Sequence, residues 1–199
     1  SHFGEIIAYL NDQPKIMNVC IYTNGTIRPK DADMEIMRAG DKTSLSISDY
    51  GSLSRRLKEL VNACERFGLY CEVKPIDFWT RCSTFVKHNR TAEEQTKIYS
   101  ECCAKDITTL IKGRLYPCPY IANGLNLHAL PDERGNFVDI MSDEDVEGLR
   151  ARTENLLKGR KFFSLCDYCN GRPFLNLSDE EKIPPHEQTA RPLPYKKFP

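Results

Sequence analysis

An α/β class is predicted for this chain by two observations near its start. Short apolar runs alternate with helical stripes, and the spacing between runs suits crossover helices rather than hairpin turns. A chain of 199 residues, 40% hydrophobic and 28% charged, can bury a real core in one large or two small domains.

The elements follow in order. Phe3, Ile6, Ile7 and Leu10 fall at i, i+3, i+4 and i+7, the apolar stripe of an amphipathic helix. "MNVCIYT" (17–23) is a short apolar run closed by Asn24-Gly25, which predicts a buried strand and a turn. "TSLSIS" (43–48) predicts a second strand ending at "DYG". Leu53, Leu57, Leu60, Val61 and Cys64 make a second helical stripe that Gly68 stops. "LYCEVKPI" (69–76) is the third strand. Strand, helix, strand, helix, strand implies βαβ units and a parallel sheet. Three such strands leave one sheet edge and part of each face uncovered, as if the chain began in the middle of a fold.

From about residue 81 the pattern changes, giving a first domain over 1–80, a second over 81–182 and a Pro-rich extended tail over 183–199. "TAEEQTKIYSECCAKD" is polar and weakly helical, and "TTLIKGRLYPC" predicts a hairpin around a Gly-centred turn. Ser142-x-x-Asp145 has the form of a capping box, opening a helix that runs to Gly159.

The totals exclude several classes. Lys and Arg number 28 against 28 Asp and Glu, so charge makes no case for nucleic acid or an anionic membrane. No apolar run nears the roughly 20 residues of a membrane helix. The start lacks the features of a secretion signal, and nine cysteines is an odd number. Reduced thiols in a cytoplasmic protein are the expectation.

The cysteines divide by context. Cys20 and Cys71 in strands, and Cys64 on a helical stripe, read as packing residues; Cys82 is left undecided. The rest form a candidate site: Cys102 or Cys103, then Cys118, and the CxxC pair Cys166 and Cys169, with Gly171 keeping that turn permissive. Thiolates converging from separate segments, one pair on a turn, suit a metal site, either zinc or an iron–sulfur cluster.

Cys103, nine residues, Gly113, four residues, Cys118, a gap of 47, then Cys166-x-x-Cys169 resembles the auxiliary-cluster motif of twitch and SPASM domains. Those domains follow the barrel of radical S-adenosylmethionine (radical SAM) enzymes. The single hairpin element and single CxxC match the shorter twitch form, which carries one [4Fe-4S] cluster. "IMNVCIYTNGTI" and "LSISDYG" are similar to two strands of that family's barrel. The resemblance implies a partial radical SAM (β/α) barrel with parallel strands, followed by a small α+β twitch-type domain with a hairpin and a helix.

It also implies that Cys103, Cys118, Cys166 and Cys169 hold an auxiliary [4Fe-4S] cluster. The shorter spacing to Gly113 favours Cys103 over Cys102. Thr23, Asn24, Ser48 and Asp49 would lie at the mouth that receives S-adenosylmethionine in the intact enzyme; read from the residues alone, they are turn and loop positions. The family's CxxxCxxC loop is absent from these 199 residues. The expectation is therefore a C-terminal portion, unable by itself to cleave S-adenosylmethionine and dependent on a missing N-terminal portion. Its substrate, among peptides, sugars and small metabolites, is not selected by any residue. One rival expectation is a zinc-binding scaffold or interaction module using the same cysteines; the other is an α/β binding fragment with no metal, its thiols free or oxidised.

Overall fold

The computed structural model describes residues 2–80, 85–105, 107–142, 145–171, 182–185 and 195–198. Cys82, Asn176, His186 and most of the proline-rich tail lie outside the described residues. The chain divides into two compact units, one of residues 2–79 with 184–185, the other of 80–183 with 195–198.

The first unit is built on βαβ repetition. Helix α1 (Phe3–Asp12) precedes strand β1 (Val19–Thr23), helix α2 (Asp31–Ala39) leads to β2 (Thr43–Asp49), and α3 (Leu57–Phe67) leads to β3 (Cys71–Pro75). The strands form one parallel sheet in the order β1-β2-β3, with Val19 opposite Thr43 and Leu45 opposite Cys71. Gly68 ends α3 in the left-handed region (φ 66°), so that its N–H reaches the carbonyl of Glu65 and Leu69 N–H that of Cys64.

Alternate residues of the strands point to opposite faces. Val19, Ile21, Leu45, Ile47 and Cys71 pack with Ile7, Met34, Met37, Leu60, Ala63 and Cys64 from the helices. On the other face stand Cys20 and Tyr22 from β1, Ser44, Ser46 and Ser48 from β2, and Glu72 and Lys74 from β3. Cys20 is exposed and Tyr22 is 77% exposed. This corrects two expectations: β1 is not buried on both faces, and Cys20 is not a packing residue, because the three helices gather on one side of the sheet only. The unit is α/β, and no closed barrel forms among the described residues.

A two-residue strand, Trp79–Thr80 (β4), follows β3. In the second unit, α4 (Ala92–Ser100) opens with a complete capping box: Thr91 Oγ1 accepts from Glu94 N–H while the Glu94 carboxylate accepts from Thr91 N–H. The expected hairpin is present as β5 (Thr109–Ile111) and β6 (Arg114–Tyr116), turning through Lys112 (φ 51°) and Gly113 (φ 77°). A third antiparallel strand, β7 (Val138–Asp139), pairs with β6.

Between them lies α5 (Pro119–Asn126), which begins directly after the hairpin with Pro119 in its first turn. Helix α6 (Val146–Lys158) ends at Gly159 as expected. Its cap is not the Ser142 box: Asp145 Oδ1 accepts from Gly148 N–H at 2.8 Å, while Ser142 Oγ donates to the Asp139 carbonyl. A 3-10 turn at Ser164–Tyr168 carries the start of the CxxC, and Lys182–Ile183 (β8) is the last strand among the described residues. Phe163, Leu165, Ile121, Ala122, Tyr116, Val138 and Leu156 form this unit's core.

Candidate metal centre

Three separate pieces of the second unit meet around one cavity of about 320 Å³. Cys102 follows the C-terminus of α4, Cys118 sits between β6 and α5, and Cys166 and Cys169 come from the 3-10 turn and its exit. All four sulfur-bearing residues line the cavity. The remaining wall is largely apolar and aromatic, including Phe85, Ile98, Tyr99, Pro117, Phe163 and Leu165, with Lys105 the cation among the lining residues. Cys103, expected from the spacing, does not line it; Cys102 takes that place.

The local fold explains each position. Cys118 is the N-cap of α5, and its Sγ accepts from Ile121 N–H at 3.5 Å. That contact fixes the sulfur at a helix N-terminus, where free N–H groups favour negative charge. Cys102 Sγ accepts from Ala104 N–H at 3.4 Å. Cys169 N–H donates to the Cys166 carbonyl at 3.2 Å, the backbone reversal that brings both thiols of a CxxC to one side. Gly171 has φ 75°, which favours glycine, and a Cβ there would stand 3.0 Å from Ile98 Cγ2, a tight contact that Ile98 would have to relieve.

Burial governs the protonation of Cys118 and Cys166. It pushes Cys118 up to about 11, an effect that charge on Cys102 and Cys169 adds to and the N–H groups of Ile121 and Tyr120 oppose. Burial also pushes Cys166 up to about 12, with Cys118, Cys169 and Cys102 adding to it. In the metal-free chain these groups are neutral thiols near neutral pH. Each would need a cation to become a thiolate there. As placed, the sulfurs surround the cavity: among the described residues, no three of His, Cys, Asp and Glu converge tightly enough to hold a single metal ion.

The CxxC turn is anchored from behind by residues 88–90. His88 N–H donates to the Asp167 carbonyl at 3.0 Å, and the Asp167 carboxylate accepts from the N–H groups of Asn89 (3.0 Å) and Arg90 (2.8 Å). Arg90 Nη1 donates to the Cys169 carbonyl at 2.8 Å and reaches the carbonyls of Cys166 and Asp167 at 3.4 and 3.5 Å. Asp167 is 3% exposed. Sequence reasoning missed both residues; the aspartate lies between the two cysteines, but its partners are more than 75 positions upstream.

In the first unit, Thr23, Asn24, Ser48 and Asp49 lie at the C-terminal ends of two neighbouring strands. Their polar atoms build turns. Thr23 Oγ1 accepts from Gly25 N–H, Asn24 Oδ1 from the N–H and hydroxyl of Thr26, and Asp49 Oδ1 from Gly51 N–H at 2.8 Å. Ser54, which sequence reasoning did not single out, joins the two strand ends: its hydroxyl contacts the Asn24 and Ser48 carbonyls at 2.7 and 3.3 Å and accepts from Tyr50 N–H. Tyr50 stacks on Trp79 with ring centroids 6.4 Å apart.

No family model, no curated protein and no solved structure matches this chain. No helix among the described residues is long and apolar enough to cross a membrane.

Proposed function

We propose that the second unit binds one [4Fe-4S] cluster through Cys102, Cys118, Cys166 and Cys169, as the auxiliary centre of a radical SAM type enzyme. The observation that carries the reading is the gathering of four thiols, from three chain segments, on the wall of one apolar cavity. A zinc ion needs its sulfurs converging on a single atom. A cluster takes each thiolate on a different iron, so its ligands stand farther apart, around a volume rather than a point. What supports the second arrangement is that the four thiols line one cavity.

With four cysteine ligands no iron site is left open for substrate, so the chemistry supplied is electron transfer or support of a substrate-facing wall. The chain's own residues have definable parts. Pro117, Phe163 and Leu165 make the cavity wall apolar, the α5 N-terminus favours the Cys118 thiolate, and the CxxC turn presents two sulfurs together.

The first unit is read as a sector of a radical SAM barrel. Its support is the one-sided covering by helices and the polar inner row of Ser44, Ser46, Ser48, Glu72 and Lys74, since parallel sheets are ordinarily covered on both faces. Thr23, Asn24, Ser48 and Asp49 would then border the S-adenosylmethionine mouth, at the strand ends where parallel α/β sheets place ligands. A CxxxCxxC loop from an N-terminal portion would complete the enzyme.

Anaerobic reconstitution with iron and sulfide tests the reading. The expected product is brown, with about four iron and four sulfide per chain. A colourless protein with about one zinc, no sulfide and unchanged zinc content on iron addition would sink it in favour of a structural zinc scaffold.

A further inference from the structure

We infer that Arg90 is the positioning residue of the metal centre, holding the CxxC turn in ligating form and supplying the positive charge that sets the cluster's potential. The inference rests on the cluster reading above. Its basis is geometric: one guanidinium nitrogen faces three carbonyls of a single turn, those of Cys166, Asp167 and Cys169. Carbonyls that crowd together repel one another unless a cation lies between them. The guanidinium is permanently charged, so its hold on these carbonyls is charge-assisted.

The same segment is locked at its other end. The backbone N–H groups of Asn89 and Arg90 both end on the buried Asp167 carboxylate, and Gln95 Nε2 donates to the Arg90 carbonyl at 3.1 Å. Asn89 sits at φ 57°, the conformation that turns its N–H and its neighbour's toward one acceptor. Arg90 does not line the cavity; it stands behind the turn, acting on the sulfurs through the backbone that carries them. Hydrogen bonds and charges next to a cluster's ligands are the protein's means of tuning it.

Two effects follow and separate cleanly. Arg90→Gln removes the charge; Arg90→Lys keeps the charge but places it on a shorter side chain that ends in a single nitrogen. In the metal-free chain, hydrogen exchange at the amides of 167–171 accelerates tenfold or more in both variants. In the reconstituted chain, Arg90→Gln lowers the midpoint potential, because a positive charge stabilises the more negative reduced cluster, while Arg90→Lys restores it toward wild type. Asp167→Asn, which removes the opposite charge, loosens the same turn but moves the potential upward.

A merely structural pair would give three variants with altered occupancy and no opposed shifts. Wild-type exchange rates together with a wild-type potential in Arg90→Gln overturn the inference, leaving the cluster reading intact. A wild-type chain that takes up no iron overturns the cluster reading and the electrostatic half of this inference, while the exchange measurement still decides the positional half.

Discussion

Cys64 offers a test in which two effects of known sign oppose each other. The residue is fully buried in the first unit's core, beside Leu60 and Ala63 on α3 and against Cys71 on β3. Replacing it by alanine removes a sulfur from a packed site, at a cost of about 1.5 kcal/mol near neutral pH. Burial, followed by the neighbouring Cys71, pushes the Cys64 thiol up from 9.0 to about 12. Below pH 9 both folded and unfolded chains keep this proton, so the contribution to stability is fully present. Above pH 9 the unfolded chain releases it first, and stability falls as pH rises toward the folded value. One pH unit above the ordinary value, at pH 10, the wild type has lost about 1.4 kcal/mol from this group and the alanine variant nothing. The stability gap of about 1.5 kcal/mol at pH 7.5 should therefore close to about zero at pH 10. Urea unfolding followed by fluorescence of Trp79, the single tryptophan, measures both gaps. A gap of the same size at both pH values would refute the reasoning.

Three further outcomes are expected. Cys102→Ser should abolish most iron uptake on reconstitution and Cys103→Ser should leave it near wild type; iron and sulfide analysis decides, and the reverse ranking would restore the sequence-based choice. Ser54→Ala removes a 5%-exposed hydroxyl that serves two carbonyls and one N–H, and should cost about 1–3 kcal/mol in urea unfolding of the first unit. Gly113→Ala puts a side chain at φ 77° with its Cβ 2.5 Å from Met141 Cγ. A drop of about 1–2 kcal/mol in hairpin stability, read by hydrogen exchange at β5 and β6, is expected.

Much of the fold could be read from the sequence because its signals are local. Gly25, Gly68 and the Lys112-Gly113 turn each sit where the backbone takes a left-handed conformation. The apolar runs at β1, β2 and β3 needed no distant information. Helix α5 is not among the elements predicted from sequence: "PCPYIANGLN" carries prolines and Asn-Gly, and Pro119 starts the helix, where its missing N–H costs nothing. The box at Ser142 matched a pattern, yet Asp145 lies closer to the helix it caps and won the N–H. Cys20 was misjudged because alternation alone does not say which faces of a sheet are covered.

The site divides the same way. Spacing around turns put Cys118, Cys166 and Cys169 in one candidate set, and all three line the cavity. The choice between Cys102 and Cys103 depended on where α4 ends, at Ser100, and so on which of two adjacent side chains swings toward the cavity. Distance to Gly113 carries no information about that phase. Arg90 and Asp167 were invisible because their partnership links distant segments through backbone groups, which no side-chain pattern announces.

The thiol of Cys118 serves two masters, and a single oxygen can tell them apart. As N-cap it satisfies an amide of the helix that buries Ile121, Ala122 and Leu125. Serine caps helices well, yet its hydroxyl is a poor substitute for a thiolate on iron. Cys118→Ser should thus yield a chain as thermally robust as the original in its metal-free form but blind to iron, whereas Cys118→Ala should lose both. The cap of a helix and a proposed metal ligand are, at this residue, the same atom.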